Sequence, residues 1–278
     1  MLKKTLTING TKLCYLEKNE SKSSVLFFIH GNSSSSYIWD KQLQSPLFNN
    51  HHMIAIDLPG HGDSDVYADY NPIDLAKILA KAIGELTATK PYILIGFSYG
   101  ANLIAEVLTY RLQPVGMVFS GACIVGGNFD PLKILLDIPA NIYLQEQVSS
   151  ETARLFFDKH LATSEQIDKE QYLTDFFRTQ TGVRQSIIES AVNGNYTDEF
   201  LSLASQKTQL LFLFGTKDKL VDINYLDNAA LPFWRKTVVK IEGAGHFIQT
   251  DMPESFNQIL SEYASEQFKA THSSTQNE

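Results

Sequence analysis

Six apolar runs of strand length constrain this chain more than any other feature: SVLFFIH (24–30), HMIAIDL (52–58), PYILIGF (91–97), VGMVFSG (115–121), QLLFLFG (209–215) and KTVVKIEG (236–243). They are mostly continuous rather than alternating, the pattern of strands covered on both faces by helices. Helical periodicity fills the gaps. Ile73, Ala76, Ile78, Leu79, Ala82 and Ile83 form a helical pattern before the third run, and Leu103, Ile104, Val107, Leu108 and Leu112 form another after it. Such alternation predicts an α/β fold with a mostly parallel, doubly wound sheet. Short strands near 3–9 and 12–17, joined by Asn9-Gly10, predict an antiparallel hairpin at its edge. A chain of 278 residues, 44% of them hydrophobic, is long enough to cover such a sheet.

Residues 124–205 break the alternation. The stretches DPLKILLDIPANIYLQEQ, SETARLFFDKHLA, SEQIDKEQYLTDFFRTQ and RQSIIESAVN read as helices, with Ser149/Ser150 and Ser164 as caps ahead of acidic residues, and no strand is expected there. The expected division is a core of 1–123 and 206–268, a helical cap of 124–205 over the C-terminal edge of the sheet, and a polar, disordered tail of 269–278.

The stretch Gly96-Phe97-Ser98-Tyr99-Gly100 lies where the third run must become a helix. A sharp turn there forces its central residue into a strained conformation, and glycines two before and two after relieve contacts with strand and helix. Ser98 would then stand at a helix N-terminus, where developing negative charge is favoured. The plainer reading is a Gly-rich turn with a solvated serine. A serine attacks at neutral pH only if a base takes its proton and an acid holds that base in the right tautomer. His246 lies in EGAGHF after the last run, and Asp218 lies three residues past Gly215. Asp222 competes with Asp218 as the acid, although a carboxylate in a first helical turn is more often a cap. Asp130 is a weaker competitor.

With FFIHGNSSSS (27–36), IDLPGHGDSD (56–65), GFSYGAN (96–102), LFGTKDKLVD (213–222) and GAGHFIQTDMPESF (243–256) in this order, the chain resembles the α/β-hydrolase superfamily over about residues 1–268. Within it, the sequence looks most like esterase and lactonase members, including N-acyl-homoserine-lactone lactonases of this fold. The resemblance implies Ser98 as nucleophile, His246 as general base and then acid, and Asp218 as the orienting acid. It further implies an oxyanion hole made by the backbone N–H groups of Asn32 and Tyr99. The chain departs from the commoner pattern at Ala101, Tyr99 and Gln209, and none of these removes a reacting group. The implied activity is hydrolysis of a carboxylic ester or lactone through an acyl-enzyme, with no cofactor and no metal. Thioesterase, C–C hydrolase and perhydrolase chemistry stay open, as does a ligand receptor without turnover. Dehalogenases and epoxide hydrolases of this fold use an aspartate where Ser98 stands.

The remaining candidates have structural roles in this reading. Asp57 and His61 are expected to stabilise the turn after a strand, and His30 to orient the loop carrying Asn32. His51, His52, His160 and His272 show no metal-ligand spacing. Cys14 and Cys123 make neither a disulfide framework nor a metal site, so a reducing cytoplasm is the expected compartment. The net charge of -8, without basic runs, excludes a nucleic-acid footprint, and no apolar stretch is long enough to span a membrane. The expected partner is a small-molecule ester or lactone, with the chain a monomer or homodimer. Residues 124–205 hold twelve acidic and six basic side chains, an excess that disfavours strongly anionic substrates.

Overall fold

The computed structural model describes residues 1–138, 141–161 and 169–274, with side chains through 271. Its centre is an eight-stranded sheet. In chain order the strands are β1 (Leu2–Ile8), β2 (Thr11–Lys18), β3 (Val25–Ile29), β4 (His52–Ile56), β5 (Tyr92–Phe97), β6 (Gly116–Ser120), β7 (Leu210–Gly215) and β8 (Val239–Ile241). In space they run β1-β2-β4-β3-β5-β6-β7-β8. The hairpin β1–β2 and the β2–β4 pair are antiparallel, and every other pair is parallel. Asn9 and Gly10 both take positive φ, as a two-residue hairpin turn requires. Strands β3 to β7 are buried along their whole length, which is why their sequences are continuously apolar.

The helices are α1 (Asp40–Leu43), α2 (Pro72–Thr87), α3 (Tyr99–Val107), α4 (Pro131–Ile134), α5 (Ser150–His160), α6 (Lys169–Arg178), α7 (Val183–Asn193), α8 (Glu199–Ala204), α9 (Ile248–Asp251) and α10 (Pro253–Ser274). Asn71 caps α2 through Asp74 N–H, with Pro72 in the first turn. Ser149 caps α5 through Thr152 N–H, as its position predicts. The Ser164 cap lies outside the described residues.

Five helices, α4 to α8, lie between β6 and β7, and among the described residues no strand does. Two expectations need correction. Among the described residues, the long helix expected over DPLKILLDIPANIYLQEQ is a single turn, α4, and a separate 3₁₀ turn at Ile142–Leu144. Its Leu/Ile spacing is helical, but Leu135 already leaves the helix in an extended conformation and Asp137 takes positive φ. The start of the expected disordered tail, 269–274, is instead helical, because α10 continues through Ser274. Phe268 on that helix is buried and stacks on His51, giving the helix a reason to run on. Residues 275–278 and the side chain of His272 lie outside the described residues. No helix of the described residues is long and apolar enough to cross a membrane.

Candidate active site

Strands β3 and β5 are neighbours, yet the chain leaves them toward opposite edges of the sheet. A crevice opens at such a switch point, beyond the carboxyl ends of the strands. The loop after β3 carries Asn32, the turn after β5 carries Ser98 and Tyr99, the loop after β7 carries Asp218 and the loop after β8 carries His246.

Ser98 sits at φ 50°, ψ -121°, a conformation costly for any side-chain-bearing residue. Neighbouring bonds hold it there: its N–H donates to Ser120 O at 2.8 Å, and its carbonyl accepts from Ala101 N–H at 2.8 Å. The flanking glycines permit the turn by contact. A Cβ at Gly96 would lie 2.6 Å from Gly100 O, and one at Gly100 would lie 2.4 Å from His30 O. Gly100→Ala should therefore push α3 off β3. The expected cost is about 1–3 kcal/mol, readable by denaturant unfolding. A Gly100→Ala variant as stable as wild type would show that the elbow can slide.

His246 is 4% exposed, and its Nδ1 lies 2.8 Å from Asp218 Oδ2. The Asp218 side chain is fully buried. Its other oxygen, Oδ1, accepts from Leu220 N–H at 2.8 Å and Val221 N–H at 3.2 Å, so the carboxylate is fixed on both sides. Asp222 instead accepts from Asn224 N–H in a turn, and Asp130 caps α4 through Leu132 N–H. Both competing carboxylates are thus occupied in capping.

Asn32, Ser98, Tyr99 and His246 line one cavity of about 150 Å³. Its remaining wall is largely apolar and comes from both halves of the chain: Phe97, Val125, Leu135, Tyr143, Ile187, Ile188, Leu220 and Val221 among others. Glu199 is the one carboxylate among the described lining residues. It is 1% exposed, its Oε2 accepts from Asn102 Nδ2 and Val125 N–H, and burial pushes its pKa well above the usual carboxylate range. The acidic excess of residues 124–205 therefore lies mostly away from the cavity wall.

The loop carrying Asn32 is held from below. Leu58 N–H donates to His30 Nε2, so the proton of this fully buried ring sits on Nδ1 and is donated to Gly31 O at 2.7 Å. Desolvation lowers the His30 pKa to about 4, which keeps that neutral tautomer in place. His61 packs edge-on against His30 and is itself buried. Asp57 accepts from Ser36 N–H and Asp63 N–H, tying the loop to the turn after β4. The roles expected of His30, Asp57 and His61 are therefore visible as contacts.

Several residues at or beside the site escape sequence reasoning: Asp175, Arg184 and Glu199. For Arg184 a signal existed. It precedes Ile187, Ile188 and Ala191 by three, four and seven residues, placing a cation on the inward face of α7. Among the described residues no group of three or more His, Cys, Asp or Glu could hold a metal ion.

A sequence model of the alpha/beta hydrolase family matches residues 26–259. Protein ABHD8 of Homo sapiens is 26% identical over 272 residues, covering 94% of this chain and 60% of its own length. The chain thus spans less than two thirds of that relative. The dihydrolipoyllysine-residue acetyltransferase component of the acetoin cleaving system of Cupriavidus necator is 24% identical, covering 92% of this chain and 67% of the relative. Among solved structures, N-acyl homoserine lactonase AidH complexed with N-butanoyl homoserine superposes with a TM-score of 0.87 at 20% identity, covering 96% of this chain and 97% of that one. Esterase RhEst1 from Rhodococcus sp. ECU1013 gives 0.78 at 22% identity, covering 95% and 99%. At these identities the structural likeness establishes the fold.

Proposed function

The chain belongs to the alpha/beta hydrolase family, and from that premise we propose that it is a cofactor-free serine hydrolase of carboxylic esters or lactones. One observation carries the reading: the buried His246–Asp218 pair opens onto the same cavity as Ser98 at its strained elbow. In this mechanism Asp218 keeps the proton of His246 on Nδ1, leaving Nε2 free to take the Ser98 proton as Oγ attacks the substrate carbonyl. The oxyanion of the tetrahedral intermediate is met by the N–H groups of Asn32 and Tyr99, the second at the first turn of α3. His246 then protonates the leaving oxygen; in the second half it takes a proton from water as the water attacks the acyl carbonyl, and gives it to Ser98 Oγ as the acyl–serine bond breaks.

The helices between β6 and β7 act as a cap that closes an apolar slot over Ser98. That the structurally similar AidH and RhEst1 are a lactonase and an esterase supports this substrate class. Lactones with an acyl-amide arm fit such a site as well as open esters do, with the arm in the slot and the ring carbonyl at Ser98.

The test is a panel of p-nitrophenyl esters of rising acyl length beside N-acyl homoserine lactones. Each methylene that enters the slot is worth about 0.8 kcal/mol, so kcat/KM should climb by about fourfold per carbon and then break once the slot is full. A flat response would remove the cap from substrate selection, and no turnover of any member would remove the hydrolase reading.

A further inference from the structure

The run Ser33-Ser34-Ser35-Ser36 follows Asn32, and all four serines are buried, between 2% and 6% exposed. Four consecutive hydroxyls in such a place need partners, and those of Ser33 and Ser35 include residues of the cap. Ser35 Oγ donates to Asp175 Oδ2 on α6 at 2.6 Å. Arg184 Nη1 on α7 donates to Ser33 Oγ at 3.2 Å, and Ser33 Oγ donates onward to Asn32 Oδ1 at 2.9 Å. Asn32 Nδ2 completes the line by donating to Tyr143 O at 3.1 Å. Ser33 itself takes positive φ, 53°, so this loop holds a conformation that free chain would leave.

Arg184 is 6% exposed and uses its guanidinium as a hub. Nε donates to Gln145 O, Nη2 to Glu146 O and Nη1 to Phe176 O, and the group lies 4.5 Å over the Phe176 ring. Three of its bonds therefore knit the cap to itself. The fourth crosses to the core.

We propose that Arg184 is a positioning residue, which through Ser33 fixes the loop bearing Asn32 and so makes the oxyanion hole depend on a seated cap. The proposal rests on the ester-hydrolysis reading given above. A planar fork with donors in fixed directions suits this task, and a lysine ammonium cannot reproduce the set. Since the side chain of Asn32 is held by Ser33 and by Tyr143 O, it serves the loop, and its backbone N–H is left to serve the substrate.

The test separates the bond to the loop from the folding of the cap. Ser33→Ala removes the relay while leaving the three bonds of Arg184 within the cap in place, and alanine tolerates the same φ as serine. Outright loss of an oxyanion donor costs about 10²–10³ in turnover; a donor displaced but present should cost about tenfold in kcat, with KM within about twofold. The Ki of a trifluoromethyl ketone, which forms a transition-state-like adduct at Ser98, should rise by the same factor as kcat falls. Arg184→Lys should show the same split, and the double variant should lose less than the product of the singles. Amide hydrogen exchange over 31–36 should quicken in both variants. Unchanged exchange, or an unchanged kcat in Ser33→Ala, would overturn the proposal. A kcat loss that merely follows a fall in melting temperature, with KM and Ki unaltered, would overturn it too, because that is what a cap-folding residue does. If wild type turns over no ester and takes no fluorophosphonate, the hydrolase reading fails by itself, and exchange over 31–36 still decides whether Arg184 holds the loop.

Discussion

Ser98→Ala is expected to abolish ester turnover and to leave the fold and its stability intact. In the proposed mechanism the hydroxyl is the group that forms the acyl-enzyme, and no neighbouring side chain replaces it at the elbow. What survives is transition-state binding by the oxyanion donors and the pocket, about 10³–10⁴ over water out of a far larger total. The fold should survive for a structural reason. Ser98 stands at the N-cap position of α3, but its side chain makes no capping hydrogen bond there. The strained backbone at φ 50° is held by bonds from Ser98 N–H and to its carbonyl, which alanine keeps. Removing Oγ therefore costs the site its chemistry and the elbow nothing. A fluorophosphonate probe should label wild type and leave Ser98→Ala unlabelled at equal melting temperature. Labelling that persists in the variant would place the nucleophile elsewhere.

The parts of this site legible in the sequence share one property: each is fixed by short-range structure. Strands β3 to β7 are buried on both faces, so their apolar runs have no interruption to confuse them with surface strands. Ser98, Asp218 and His246 all lie within five residues of a strand end, where the chain direction is set and few conformations remain. Gly96 fits the same rule, since a Cβ there would meet Gly100 and Ala101 of the elbow itself, whereas the contacts of Gly100 with Ile29 and His30 belong to the assembled sheet. Asp222 and Asp130 were separable from Asp218 only in part. Capping habit disfavoured them, but the distance to His246 is a fact of the assembled sheet.

The helices between β6 and β7 are much less legible, and the physical cause is range. The bond from Arg184 to Ser33 joins residues 151 apart in sequence, and that from Ser35 to Asp175 joins residues 140 apart. A serine run carries no mark that says which partner its hydroxyls will meet. The Leu/Ile spacing after α4 is helical, and periodicity carries no sign of the positive φ at Asp137. Helix α8, six residues long, was too short to announce itself by period. Yet it delivers Glu199 to the cavity wall.

Asp218→Asn is expected to lower kcat by about 10⁴, while Asp222→Asn changes it little. The contrast follows from the two faces of the Asp218 carboxylate. An asparagine at 218 can keep its carbonyl oxygen toward the N–H groups of Leu220 and Val221, which now bind Oδ1 at 2.8 and 3.2 Å. Its amide nitrogen then replaces Oδ2 opposite His246 Nδ1. An amide nitrogen donates and cannot accept, so Nδ1 must give up its proton and accept, and the ring carries its proton on Nε2. That tautomer presents a donor to Ser98 where the reaction needs a base. Backbone geometry is preserved, so stability should hardly move, and the loss should appear in kcat rather than in KM because substrate binding in the apolar slot does not involve Asp218. At Asp222 the substitution touches only the turn bond to Asn224 N–H, which an asparagine oxygen still accepts. Steady-state kinetics of the two variants on one ester, with melting temperatures beside them, decide the matter. If Asp222→Asn proves the crippling change, the hydrogen bond at His246 Nδ1 does not orient the reacting ring, and the pairing of His246 with Asp218 must be read as structural.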